Sequence, residues 1–183
     1  MSSIVQIVTQ ILSSLTVASQ MGIILFLILL VSGVSKVKNF EKLFGFLKKK
    51  ALLIAFIVTL AATLGSLFFS EIAKYQPCDL CWFQRIFMYP QVLLLGIALW
   101  KKDRSVSRYV IPMSIIGAII AAYHYYISKL ANIASSGVCS AVGPSCLVDY
   151  FTEFGYVTIP LMAFTAFIIV IVMTFFWSKK DKK

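Results

Sequence analysis

The stretch ALLIAFIVTLAATLGSLFFSEIAKYQPCDLCWFQRIFMYP, residues 51–90, joins twenty uncharged residues to a Cys-x-x-Cys pair and then to a second, mostly apolar run. Twenty residues in helical form rise about 30 Å, the thickness of a bilayer's hydrocarbon core. Residues 51–70 therefore read as a membrane span, and comparable runs fill 16–35, 82–100, 109–128 and 156–177. None shows the alternation of barrel strands, so helices are what satisfies their backbone in lipid. With 60% hydrophobic residues over 183 positions and a mean hydropathy of +0.92, composition excludes an ordinary soluble domain. The expected fold class is all-α: a polytopic four-helix transmembrane bundle with one additional N-terminal transmembrane helix.

The net charge of +10 is not spread evenly. Fourteen of the 17 lysines and arginines fall in three segments: Lys36–Lys50, Lys101–Arg108 and Lys179–Lys183. Cytoplasmic segments retain lysine and arginine, so this clustering is a topology signal and not a nucleic-acid surface. It puts the N-terminus outside, the C-terminus inside, and residues 71–81 and 129–155 on the outer face. All four cysteines, Cys78, Cys81, Cys139 and Cys146, belong to those two outer segments. An extracytoplasmic compartment permits disulfides, whereas the cytosol keeps thiols reduced.

Before the first span, Ile4, Val5, Val8, Ile11, Leu12 and Leu15 recur at helical spacing opposite Gln6, Thr9, Gln10 and Ser13. Two arrangements fit: a short amphipathic helix on the outer surface, or one longer tilted helix running into the span. The pattern lacks the basic start and small-residue cleavage site of a signal peptide. Residues 1–50 thus comprise an amphipathic start, an extra span and a basic segment; 51–177 form the main bundle, and 178–183 a basic tail.

Four chemistries compete for the cysteines. Passive disulfides would staple each loop. Zinc is a poor match, because Cys-x6-Cys is wide for a second ligand pair, and no metal is expected. Haem attachment needs histidine after the second cysteine, where Trp82 stands. Redox exchange fits best: Pro77 is suited to starting a helix, which would put Cys78 and Cys81 in its first turn. There the helix dipole and Arg85, one turn beyond Cys81, favour a thiolate at Cys81. A dithiol at a helix mouth level with the headgroups suits a lipid-soluble two-electron acceptor, and a quinone has a carbonyl for Arg85 to polarise. No glycine-rich fingerprint calls for a flavin or nicotinamide.

PCDLCWFQR, residues 77–85, resembles the first periplasmic loop of the DsbB-like disulfide bond formation family. The resemblance continues over about 51–177, through two spans, the loop with Cys139 and Cys146, and a last span. It implies a thiol:quinone oxidoreductase of the bacterial cytoplasmic membrane that reoxidises a DsbA-like thioredoxin-fold partner and reduces ubiquinone or menaquinone. It further implies the relay: the partner attacks Cys139, Cys146 connects with Cys78, and Cys81 is released beside the quinone that Arg85 holds. A strongly oxidising partner of this kind needs a strong acceptor, since about 30 mV of mismatch costs about 1.4 kcal/mol in a two-electron step.

His124, the sole histidine, is either a packed neutral side chain or, as the resemblance implies, a proton relay at the quinone pocket. Two departures stand out: the extra N-terminal span, and a second cysteine pair only seven positions apart. A vitamin K epoxide reductase-like enzyme is the nearest alternative, but its loop cysteines precede its Cys-x-x-Cys. The other is a non-enzymatic scaffold stapled by disulfides.

Overall fold

The computed structural model describes residues 3–31, 38–130 and 150–178. Cys139, Cys146 and the basic tail 179–183 lie outside the described residues. Five helices follow in order: α1 (Ser3–Val31), α2 (Lys38–Leu67), α3 (Asp79–Lys101), α4 (Ser107–Leu130) and α5 (Ile159–Ser178). All five contain a stretch long and apolar enough to cross a membrane, and the described residues contain no strand beyond one isolated Glu153–Val157 bridge. The chain is an all-helical, multi-pass membrane protein.

Two of the sequence expectations are resolved here. The N-terminal segment is a single continuous helix of 29 residues, not a surface helix followed by a span. Its apolar residues run on without a breaker into the span, so nothing in the sequence ends the helix at residue 15. The third span also differs in its first turn. Pro77 precedes the helix, Cys78 is its N-cap in extended backbone (φ −75°, ψ 172°), and Cys81 occupies the third helical position. Basic residues from Lys38 onward are the opening turns of α2 and not a loop.

The bundle has two packed layers. Near the end where α3 turns into α4, Leu52, Ala55, Leu95, Ala98, Val106, Val110 and Val170 close together. Farther along, Met88, Ala118, Ala121, Ala166 and Phe167 form the second layer beneath the cysteines. Apolar association gains little in lipid, so small residues and interhelical hydrogen bonds do much of the joining. Ser114 donates to Gln91 Oε1 at 3.0 Å, and Gln91 Nε2 donates to the Phe87 carbonyl at 2.8 Å, which ties α3 to α4 with no polar atom of that amide stranded. α1 joins the bundle along α5: Gln20 Nε2 donates to Thr165 Oγ1 at 3.0 Å, and Phe26 meets Phe176 edge-on at 5.7 Å. These two contacts make α1 run in the same direction as α5.

The end bearing Cys78 and Cys81 is the more irregular one. α2 closes in a single π-helical turn, Phe68–Ile72, a feature that often accompanies functional sites. Lys74 and Phe154 adopt left-handed backbone (φ 57° and 52°) and turn the chain across the mouth. Tyr75 stacks on Tyr150 with centroids 4.5 Å apart, and the Tyr150 hydroxyl donates to the Gln76 carbonyl at 2.8 Å.

α4 and α5 approach most closely at Gly117, where a Cβ would fall on the Phe167 ring. Gly117→Ala should therefore lower stability by about 1–3 kcal/mol through overpacking. Thermal unfolding in detergent checks this, and adding Phe167→Leu should recover most of the loss.

Candidate active site

Cys78 and Cys81 are both free thiols, with sulfurs 3.5 Å apart. A disulfide needs about 2.05 Å, so the pair can close by a small side-chain rotation. Cys78 is buried, and its Sγ also lies 3.7 Å from His124 Nε2 on α4. His124, buried too, has Gln84 Nε2 at 3.0 Å from its Nδ1. With Gln84 donating to Nδ1, the proton of the neutral ring is assigned to Nε2, facing the sulfur.

This geometry favours charge on Cys78. The hydrogen bond from the Cys81 thiol is the largest cause, and contact with His124 adds to it against the opposing effect of burial. Together they hold the Cys78 thiol far below the ordinary range, at about 4. The expectation from sequence alone gave the helix-terminal thiolate to Cys81. The N-cap position of Cys78 and its contact with His124 favour charge on that sulfur instead.

Arg85 takes a different direction. Its Nε donates to Ser66 Oγ at 3.0 Å, its Nη2 donates to the Ser66 carbonyl at 3.1 Å, and its guanidinium lies 5.1 Å above the Trp82 ring. The Tyr89 hydroxyl also donates to Ser66 Oγ at 3.3 Å. Two of five guanidinium N–H groups are thus engaged by Ser66, which fixes the group and leaves donors for a ligand.

Cys78, Cys81, Arg85 and His124 all line one cavity of about 370 Å³. Along α2 its wall runs from Ile57 to Ser70, roughly 20 Å of helix axis. Polar groups concentrate at the cysteine end, while Val58, Ala61, Ala62, Ala163 and Ala166 make the deeper part apolar. Tyr75, also in the wall, has a buried hydroxyl with no hydrogen-bond partner among the described residues. A small apolar molecule with an oxygen at one end matches this distribution. Cys78, Cys81 and His124 also bring their ligand atoms within 4.8 Å of one another, a cluster that could hold a soft metal ion. Cys139 and Cys146, predicted as the second redox pair, lie outside the described residues.

Sequence reasoning missed Ser66, Gln84 and Tyr75. An amide inside a span was the available signal for Gln84, since such groups are rarely idle in lipid. Ser66 gave none: it is one hydroxyl in an apolar run, brought to Arg85 only by helix packing.

The family described as disulfide bond formation protein DsbB matches residues 48–177. The chain is 50% identical over 125 residues to a probable disulfide formation protein C of Bacillus cereus, covering 68% of this chain and 89% of that protein. It is 48% identical over 118 residues to disulfide bond formation protein C of Bacillus subtilis, covering 64% and 85%. A probable disulfide formation protein of Oceanobacillus iheyensis is 44% identical over 131 residues, covering 69% and 90%. No solved structure matches the chain.

A pH titration tests the electrostatics of the reduced pair. In a chain carrying Cys139→Ser and Cys146→Ser, thiolate absorbance near 240 nm should persist on acidification and be lost only as pH falls through about 4. His124→Ala should move that midpoint upward, toward the ordinary thiol range.

Proposed function

This chain belongs to the DsbB family of disulfide bond formation proteins, and we propose that it is a membrane thiol:quinone oxidoreductase that reoxidises a DsbA-like thioredoxin-fold partner. The observation that carries the reading is the single cavity joining Cys81, Arg85 and an apolar channel. Thiol oxidation in disulfide formation is the chemistry of the family; the quinone, the partner and the roles below are the proposal.

The partner's thiolate attacks Cys139 of a Cys139–Cys146 disulfide, forming a mixed disulfide and releasing Cys146. Cys146 attacks Cys78 of the Cys78–Cys81 disulfide, and Cys81 leaves as a thiolate at the cavity. The partner's second thiol then resolves the mixed disulfide, so the partner departs oxidised. Cys139 then attacks Cys146 and displaces Cys78, which restores the Cys139–Cys146 disulfide, and a quinone bound in the cavity would accept the two electrons and two protons whose removal restores the Cys78–Cys81 disulfide. Arg85, steadied by Ser66, orients the acceptor's carbonyl and favours the Cys81 thiolate. His124, through Nε2–H, stabilises the sulfur of Cys78 when it carries charge. The oxidant works on the outer face of the bacterial cytoplasmic membrane, with the N-terminus and cysteine segments exported and the C-terminus in the cytoplasm.

The residues present fit a quinone. Arg85 retains donors, the Tyr75 hydroxyl is buried without a partner among the described residues, and the channel beyond them accepts an apolar tail. Ubiquinone and menaquinone share these features, so either suits the cavity.

Quinone-dependent oxidation of a model dithiol by membranes containing the chain is the direct measurement, and no quinone dependence would overturn the reading. Arg85→Ala should reduce kcat/KM for quinone about 10- to 100-fold, the value of a hydrogen bond to a charged group. Single-turnover exchange with the partner should be unchanged in that variant. Separately, a partner lacking its second cysteine should accumulate a mixed disulfide that Cys139→Ser abolishes. A stapled scaffold would yield none.

A further inference from the structure

The family match begins at residue 48 and leaves α1 outside it, yet α1 supplies part of the cavity. Leu12, Leu15, Thr16 and Ser19 line it at i, i+3, i+4 and i+7, a single helical stripe. Leu15, 59% exposed, lies at the outer edge of that stripe beside Ile11 and, with Ile4, Ile7, Met21 and Leu25, borders the lipid side, so Leu12 is the apolar residue that the stripe turns inward. The two hydroxyls in the inward stripe are already satisfied. Thr16 donates to the Leu12 carbonyl and Ser19 to the Leu15 carbonyl, both at 2.8 Å. What the stripe offers the cavity is therefore apolar surface.

α1 is also fastened in place. Its Gln20 donates to Thr165 Oγ1 at 3.0 Å and accepts from the Tyr156 hydroxyl at 3.0 Å, so one amide bridges α5 and the segment leading into it. Leu12 fills the space over Gly65, where a Cβ would lie 3.2 Å from its Cδ1. On α2, Gly65 adjoins Ser66, the residue that holds Arg85. The contact thus puts α1 beside the polar end of the channel.

We propose that α1 is the sealing wall of the quinone channel, with Leu12 a specificity-determining residue and Gln20 a positioning residue that holds the wall shut. This rests on the quinone reading of the cavity. Without α1 the groove between α2 and α5 would open sideways to lipid, and a tail lying in it would lose one flank of its packing. With α1 clamped, tail-bearing quinones gain a closed apolar sheath whose width Leu12 helps to set.

Full-length protein in nanodiscs tests this with three variants and a photolabel. Leu12→Trp narrows the channel and should raise KM for a long-tailed quinone about tenfold, with less effect on a tailless one. Gln20→Leu should raise KM for the long-tailed quinone with little change in kcat. Ile11→Trp, on the lipid face, should leave both constants unchanged and controls for inserting a bulky residue. Single-turnover oxidation of the partner reports whether each variant is folded and should match the parent. A photoactivatable quinone should label the α1 peptide containing residues 12–19. Unaltered KM in both Leu12→Trp and Gln20→Leu, or labelling that omits α1, overturns the role of α1. Absence of quinone reduction by the parent chain instead overturns the functional reading on which it rests.

Discussion

Arg85 brings a permanent charge into a bundle whose walls are otherwise apolar, and the arrangement around the cysteines follows from how that charge is held. In a medium of low polarity an unpaired guanidinium is costly. Ser66 meets that cost twice over, once through its hydroxyl and once through its carbonyl, while Trp82 covers one face of the group. The pairing locks α3 to α2 at the level of Cys81. It also keeps the charge beside the cavity, where an exposed arginine would turn outward to the headgroups.

Adjacent residues on α3 then serve different neighbours. A helix turns about 100° per residue, so Gln84 faces α4 and grips His124, whereas Arg85 faces α2 and grips Ser66. Cys78 inherits the histidine side of this division, and Cys81 stands between it and the arginine. The two sulfurs, although 3.5 Å apart, thereby occupy different electrostatic surroundings. That asymmetry suits the proposed relay, in which one sulfur receives a bond from another cysteine and the other passes electrons into the channel.

The same economy of polar groups shapes the rest of the bundle. Gln91 with Ser114, and Gln20 with Thr165 and Tyr156, are the interhelical bonds that fix helices in lipid, where apolar burial discriminates weakly between packings. The Gln20 bridge explains how a helix outside the family's shared region is held against the bundle. Mouth aromatics complete the enclosure, with Tyr75 stacked between Tyr150 and Phe69.

By itself the sequence determined the class of fold, the number of spans and the first cysteine pair with its arginine. Each of these is local or periodic: span length follows from rise per residue, and Cys78, Cys81 and Arg85 fall within about two turns of helix. Where α3 begins was only partly legible, because Pro77 suits the first helical position, whereas Cys78 stays extended as the N-cap and the helix starts at Asp79. Tertiary structure alone decided that Ser66 would anchor Arg85, that His124 would face Cys78, and that α1 would wall the cavity. Those contacts join residues 19, 46 and more than 50 positions apart. Helix periodicity says which face of a span is apolar, but in lipid both faces are, so the choice of neighbour is left to shape and to scattered hydrogen bonds that only the packed bundle brings together.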